Sequence, residues 1–84
     1  MKEKKSINIE IGQNIRYYRD AAGLTQETLA EMMGLGVKHV SAMERGAVGV
    51  SISTLKQISE SLSIPVDFLI FGQPEIIKKQ ELET

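Results

Sequence analysis

The chain contains no cysteine, which excludes a disulfide framework and any metal site built on thiolates. No apolar run approaches the roughly 20 residues of a membrane span. The charged start, Lys2 to Lys5, lacks the apolar region of a signal peptide, so a cytoplasmic protein is expected. His39 is the single histidine, without a second His or Cys to build a ligand set, and no metal is expected. Paired carboxylates, a nucleophile–base set and a phosphate loop at useful spacing are also missing, so neither an enzyme nor a cofactor or small-molecule ligand is implied. Charge of one sign is lacking too: 10 basic residues face 11 acidic ones, a net charge of −1.

What is present is helical. At 84 residues the chain forms one small domain, able to bury a core with a stability of about several kcal/mol. Apolar spacing predicts five helices and no strand, and there is no internal repeat or low-complexity segment. The first covers roughly Ile9 to Ala22, with Ser6 or Asn8 to cap it. Its stripe is Ile11, Ile15, Tyr18 and Ala22, and Gly23 supplies a left-handed stop. The fourth opens at Ser51 or Ser53 and repeats Ile52, Leu55, Ile58 and Leu62. Pro65 suits the first turn of a short fifth helix containing Val66, Phe68, Leu69 and Phe71. Residues 1–8 then form a basic N-terminal arm, 9–72 the domain and 73–84 a charged tail, helical or disordered.

The run from Leu24 to Gly46, LTQETLAEMMGLGVKHVSAMERG, is the most informative. Thr25 to Met33 opens with a capping hydroxyl and carries Leu29, Ala30 and Met33 at helical spacing. Val37 to about Arg45 buries Val40 and Met43 and stops at Gly46. Gly34-Leu35-Gly36 joins them. Two helices joined by such a turn form a helix-turn-helix, whose second helix can enter a DNA major groove.

Charge qualifies that expectation, because a nucleic-acid binder presents a basic face. Residues 1–5 carry a net +2, while 9–72 carry a net −2. A mildly acidic whole can still present a basic stripe.

The order IRYYRDAAGLTQETLAEMMGLGVKHVSAMERG followed by STLKQISESLSIPVDFLIFG resembles the phage-repressor and Cro-type helix-turn-helix family, the lambda-repressor-like domain of XRE-type regulators. The resemblance covers about Ile11 to Gly72. It implies an all-α fold, a compact five-helix domain with the helix-turn-helix in helices two and three. It also implies binding of double-stranded operator DNA, usually as a dimer, in transcriptional regulators of bacteria and their phages.

Individual residues then acquire expected roles. Gln26, just after the Thr25 cap, sits where free N–H groups and the helix dipole favour an anion. The family uses the matching glutamine on a phosphate; a solvated surface amide is the other reading. On helix three, Lys38, Ser41, Ala42 and Arg45 share the side opposite Val40 and Met43. Gly36 and Val37 stand at the end that approaches base edges. Lys38 can donate to guanine O6 or N7, Val37 and Ala42 can meet a thymine methyl, and Ser41 suits several bases or a phosphate. An ordinary solvated helix is the alternative. Gly36 replaces the common Ser or Thr cap and Ala42 a longer polar reader, so discrimination leans on few hydrogen bonds, methyl contacts and DNA shape.

Glu44 opposes the macrodipole in the last turn of its helix, which costs roughly 0.3–1 kcal/mol without a basic partner. The family places an arginine at Arg19 for that pair, with a phosphate contact in addition; a weak surface salt bridge is the other reading. Arg16 and Arg45 are further backbone-contact candidates. His39 reaches either a phosphate or only solvent. Phe68, Ile70 and Phe71 exceed what a short helix needs for its own packing, and serve either a homodimer surface or the core. A competing function is a protein-interaction module on the same fold with weak or no DNA binding.

Overall fold

A computed structural model describes residues 2–72, with side chains from residue 7. Five helices follow one another: α1 (Lys2–Ala21), α2 (Gln26–Met33), α3 (Val37–Glu44), α4 (Ile52–Leu62) and α5 (Val66–Phe71). No strand occurs among the described residues. The tail 73–84 lies outside them.

Four helix ends close in one way. Leu24 N–H donates to the Arg19 carbonyl, Leu35 to Ala30, Ala47 to Ala42 and Ile64 to Ser59, all at 2.9–3.1 Å. Such a bond, spanning five residues, requires a left-handed residue just past the helix. Gly23, Gly34 and Gly46 fill that place, and Ser63 does so at φ 56°. Helix starts are equally local. The Thr25 hydroxyl accepts from Thr28 N–H at 3.0 Å, and Ser51 from Thr54 N–H at 3.2 Å.

The core joins Ile15 of α1, Leu29, Ala30 and Met33 of α2, Val40 and Met43 of α3, Leu55, Ile58 and Leu62 of α4, and Leu69 of α5. Each large side chain buried here removes apolar surface worth about 1.5–3 kcal/mol from water. α1 packs on α3 and α5, and α2 on α3 and α4. α3 is therefore held from two sides with its remaining face outward.

Several expectations are corrected. α1 begins at Lys2, so Ser6 and Asn8 lie inside the helix instead of capping it at Ile9. The segment holds no Gly or Pro to break it, and the backbone at Ile9 presses on Gly46, where an added Cβ would stand 2.7 Å from Ile9 Cα. Ala22 lies past the end of α1 and is exposed, so the stripe stops at Tyr18. Ile52 is 86% exposed although it continues the α4 period, while Leu55, Ile58 and Leu62 on that period are buried. Pro65 is the extended N-cap of α5, one residue ahead of the first turn. Arg45 is likewise the cap of α3 rather than its last residue, while Thr25 caps α2 as expected.

Candidate nucleic-acid interface

The junction of three helices begins with charge burial. Glu44, at the carboxyl end of α3, is only 6% exposed, and Arg19, near the end of α1, only 7%. Arg19 Nε donates to Glu44 Oε2 at 2.6 Å and Nη2 to Oε1 at 3.0 Å. This two-point pairing matches the planar guanidinium to the carboxylate. It also places a cation where the α3 dipole is negative, offsetting the cost of Glu44 at that end. The Glu44 hydrogen bond raises the Arg19 pKa above its ordinary value, against the opposing effect of burial. Arg19 Nη1 further donates to the Leu24 carbonyl at 2.7 Å and to Asp20 Oδ1 at 3.0 Å.

The Arg19–Glu44 pair is thus formed as expected, and it is buried, unlike the weak surface bridge offered as the other reading. Gln26 joins it. Its Nε2 donates to Glu44 Oε1 at 3.0 Å, a contact absent from both readings of this residue. One carboxylate therefore ties the end of α1, the start of α2 and the end of α3 into a single frame.

α3 presents its outer face above that frame. Val40 and Met43 point inward at 0% exposure. Gly36, Val37, Lys38 and His39 are exposed at the amino end, Arg45 is exposed at the other end, and Ser41 and Ala42 are half-buried between them. Arg45 Nε donates to the Ser41 hydroxyl at 3.3 Å, so these two act as one unit. Gly36 contributes no side-chain cap to α3, and an added Cβ there would meet nothing within 4 Å. Thr25 shares its hydroxyl with Thr28 Oγ1 at 2.9 Å. Arg16 projects into solvent on α1, its Nε 3.9 Å from Asp20 Oδ2.

Four further residues, Gly12, Asn14, Tyr18 and Asp20, shape the site in ways that the expected roles do not include. Gly12 lies so close to α3 that a Cβ would stand 2.3 Å from the Met43 carbonyl oxygen; a glycine inside a helical pattern is the signal for such an approach. Asp20 touches both Arg16 and Arg19, and its spacing from Arg16 is that of a helical ion pair. Asn14 Nδ2 donates to the Leu69 carbonyl at 2.9 Å and the Tyr18 hydroxyl to that of Gly72 at 3.3 Å, anchoring α5 on α1. No local signal announces those two. The apolar trio of α5 divides: Phe68 stacks on Tyr18 with centroids 5.7 Å apart, while Ile70 and Phe71 are 38% and 73% exposed. No helix among the described residues is long and apolar enough to cross a membrane.

Known proteins share the sequence pattern and the fold of this chain. Residues 15–69 match the helix-turn-helix family model HTH_3. The chain is 35% identical over 63 residues to the control protein C.SmaI of Serratia marcescens, covering 75% of each. It is 33% identical over 73 residues to the immunity repressor protein of Bacillus phage phi105, covering 87% of this chain and 50% of the repressor. The crystal structure of the restriction-modification controller protein C.AhdI from Aeromonas hydrophila superposes with a TM-score of 0.69 at 38% identity, over 73% of this chain and 92% of that one. The chain spans about half the length of several curated relatives it matches. With its five helices, its buried frame and these relatives, the chain belongs to the helix-turn-helix family of DNA-binding transcriptional regulators.

Proposed function

We propose that this chain is a sequence-specific transcriptional regulator that lays α3 in the major groove of double-stranded DNA and binds as a homodimer. The observation that carries the reading is the Arg19–Glu44–Gln26 cluster. It fixes α3 against α1 and α2 from behind, while Val37, Lys38 and Ser41 remain available at and behind the open amino end. Lys38 supplies the donor for a guanine edge, and Val37 and Ala42 the apolar contact for a thymine methyl. Arg16, Thr25, Gln26, His39 and Arg45 flank α3 as candidates for phosphate contacts, which set the register without reading sequence. Gly36 lets the backbone approach the groove. Arg19 acts chiefly by holding the frame.

Two copies suit the geometry of recognition, since paired reading helices about 34 Å apart meet successive major grooves. The exposed Ile70 and Phe71 of α5 supply the apolar surface for that pairing. The domain carrying this function is residues 9–72, with the tail 73–84 outside it, and the protein works as a cytoplasmic binding protein rather than an enzyme.

Fluorescence anisotropy on labelled genomic fragments across a salt series tests the reading. Specific dimeric binding gives a steep negative dependence of log affinity on log salt, about −0.9 per neutralised phosphate. A flat response with micromolar or weaker affinity overturns it and favours a protein-interaction module on the same fold.

A further inference from the structure

We infer that Asp20 competes with DNA phosphate for Arg16 and Arg19, and that this carboxylate sets the affinity and salt dependence of the interface. The inference rests on the DNA-binding reading above. A guanidinium has five N–H donors in one plane. Arg19 commits Nε and one donor of Nη2 to Glu44, and one donor of Nη1 to the Leu24 carbonyl. Its other Nη1 donor goes to Asp20 Oδ1 at 3.0 Å. The second oxygen, Oδ2, lies 3.9 Å from Arg16 Nε. One carboxylate thus spans two cationic heads, as two oxygens of a phosphodiester would.

The two carboxylates that hold Arg19 differ in what they can do. The Glu44 side chain is 2% exposed and that of Asp20 59%. Glu44 cannot leave without stranding a buried guanidinium, whereas Asp20 can swing into water at small cost. Arg16 is 70% exposed and has no other ion-pair partner among the described residues. A phosphate approaching this end of α1 must displace Asp20 or sit beside its negative charge, and either outcome weakens binding. Asp20 also sits immediately after the arginine that fixes the frame, so its charge acts on docking without touching the bases.

Asp20→Asn isolates the charge, because it keeps the shape and an oxygen acceptor for Arg19 Nη1. The probe is a fluorescein-labelled mixed-sequence duplex of about 30 base pairs, adequate because phosphate contacts carry no sequence information. At about 50 mM salt the variant binds about three- to tenfold more tightly than wild type. Its log–log salt slope steepens by about 0.9 if one phosphate contact is gained. Glu60→Gln removes the same charge from α4 and gives a clearly smaller gain. In an Arg16→Ala background the gain from Asp20→Asn shrinks by about half or more. Binding no tighter than wild type, or no tighter than Glu60→Gln, overturns the inference while wild-type DNA binding stands. A wild-type protein without salt-dependent affinity for the duplex overturns both.

Discussion

Arg19 and Glu44 lie 25 residues apart in the chain and meet through two hydrogen bonds in a nearly closed interior. Removing one partner of such a pair strands the other charge, at a cost of about 3–5 kcal/mol. Glu44→Ala will therefore lower the unfolding free energy by about 3 kcal/mol, a large part of what a domain of this size holds. Urea titration measures it. The double replacement Arg19→Met with Glu44→Leu restores most of the loss, because neither charge then needs solvation. The pH dependence follows from the raised Arg19 pKa. A raised folded-state pKa contributes stability below the unfolded value and loses it only as pH climbs through the folded one, here beyond the range where the domain is handled. Arg19→Lys moves that window down, and its deficit relative to wild type will widen above about pH 10.4.

Gly12 and Gly36 will respond oppositely to a side chain. At Gly12 a methyl group would meet the backbone of Met43 and Glu44 at 2.3–2.9 Å, and backbone cannot rotate away. Gly12→Ala will destabilise by about 2 kcal/mol despite the helix propensity of alanine. Gly36 has open space and an extended N-cap conformation, so Gly36→Ser will gain a few tenths of a kcal/mol. Equal thermal midpoints for the two variants would contradict the close approach of α1 to α3.

Ser63 ends α4 in the left-handed conformation that glycine occupies at three other helix ends. Ser63→Gly relieves a strain of about 1–2 kcal/mol and adds chain entropy to the unfolded state. The net expectation is a stabilisation of about 0.5 kcal/mol, read from denaturant midpoints. A loss of stability would show that the serine side chain holds the turn.

On DNA, Lys38 and Gln26 separate reading from docking. Lys38→Ala will cost about 1–3 kcal/mol at a preferred site and relax base preference. Gln26→Ala, which removes a donor near α1 and α3 rather than a base contact, weakens all sequences alike. Selection from a random duplex library reports both, and an unchanged preferred site for Lys38→Ala means that another residue reads.

Phe71, 73% exposed on α5, tests the homodimer. Phe71→Asp will leave helicity unchanged and shift sedimentation toward the monomer, since a charge at the centre of an apolar contact is costly unless paired. Wild-type protein sedimenting as a monomer at all concentrations speaks against α5 as the pairing surface.

Much of this molecule is legible without coordinates, for a local reason. Thr25, Ser51, Gly23, Gly34 and Gly46 act within five residues of themselves, so caps and stops follow from short-range hydrogen bonding. Leu29, Met33, Val40 and Met43 repeat at the helical period and fall inside as expected. Ile52 obeys the same period and is exposed, because periodicity names a face but not how far the packing partner extends. The start of α1 escapes the local pattern for a related reason: no Gly or Pro breaks the chain ahead of Ile9, and Ile9 itself lies against Gly46, over thirty residues away.

Five helices, the turn between α2 and α3 and most helix ends are legible in the sequence, because the backbone bonds that make them join near neighbours; the start of α1 is not. The crossing of the helices sets the rest: Gln26 turns to Glu44 across 18 residues, Asp20 covers two arginines and Gly12 admits α3. These depend on how closely and at what angle helices cross, which no local pattern contains. The Arg19–Glu44 pairing came from family resemblance; its burial and its third partner came from the crossing of α1, α2 and α3.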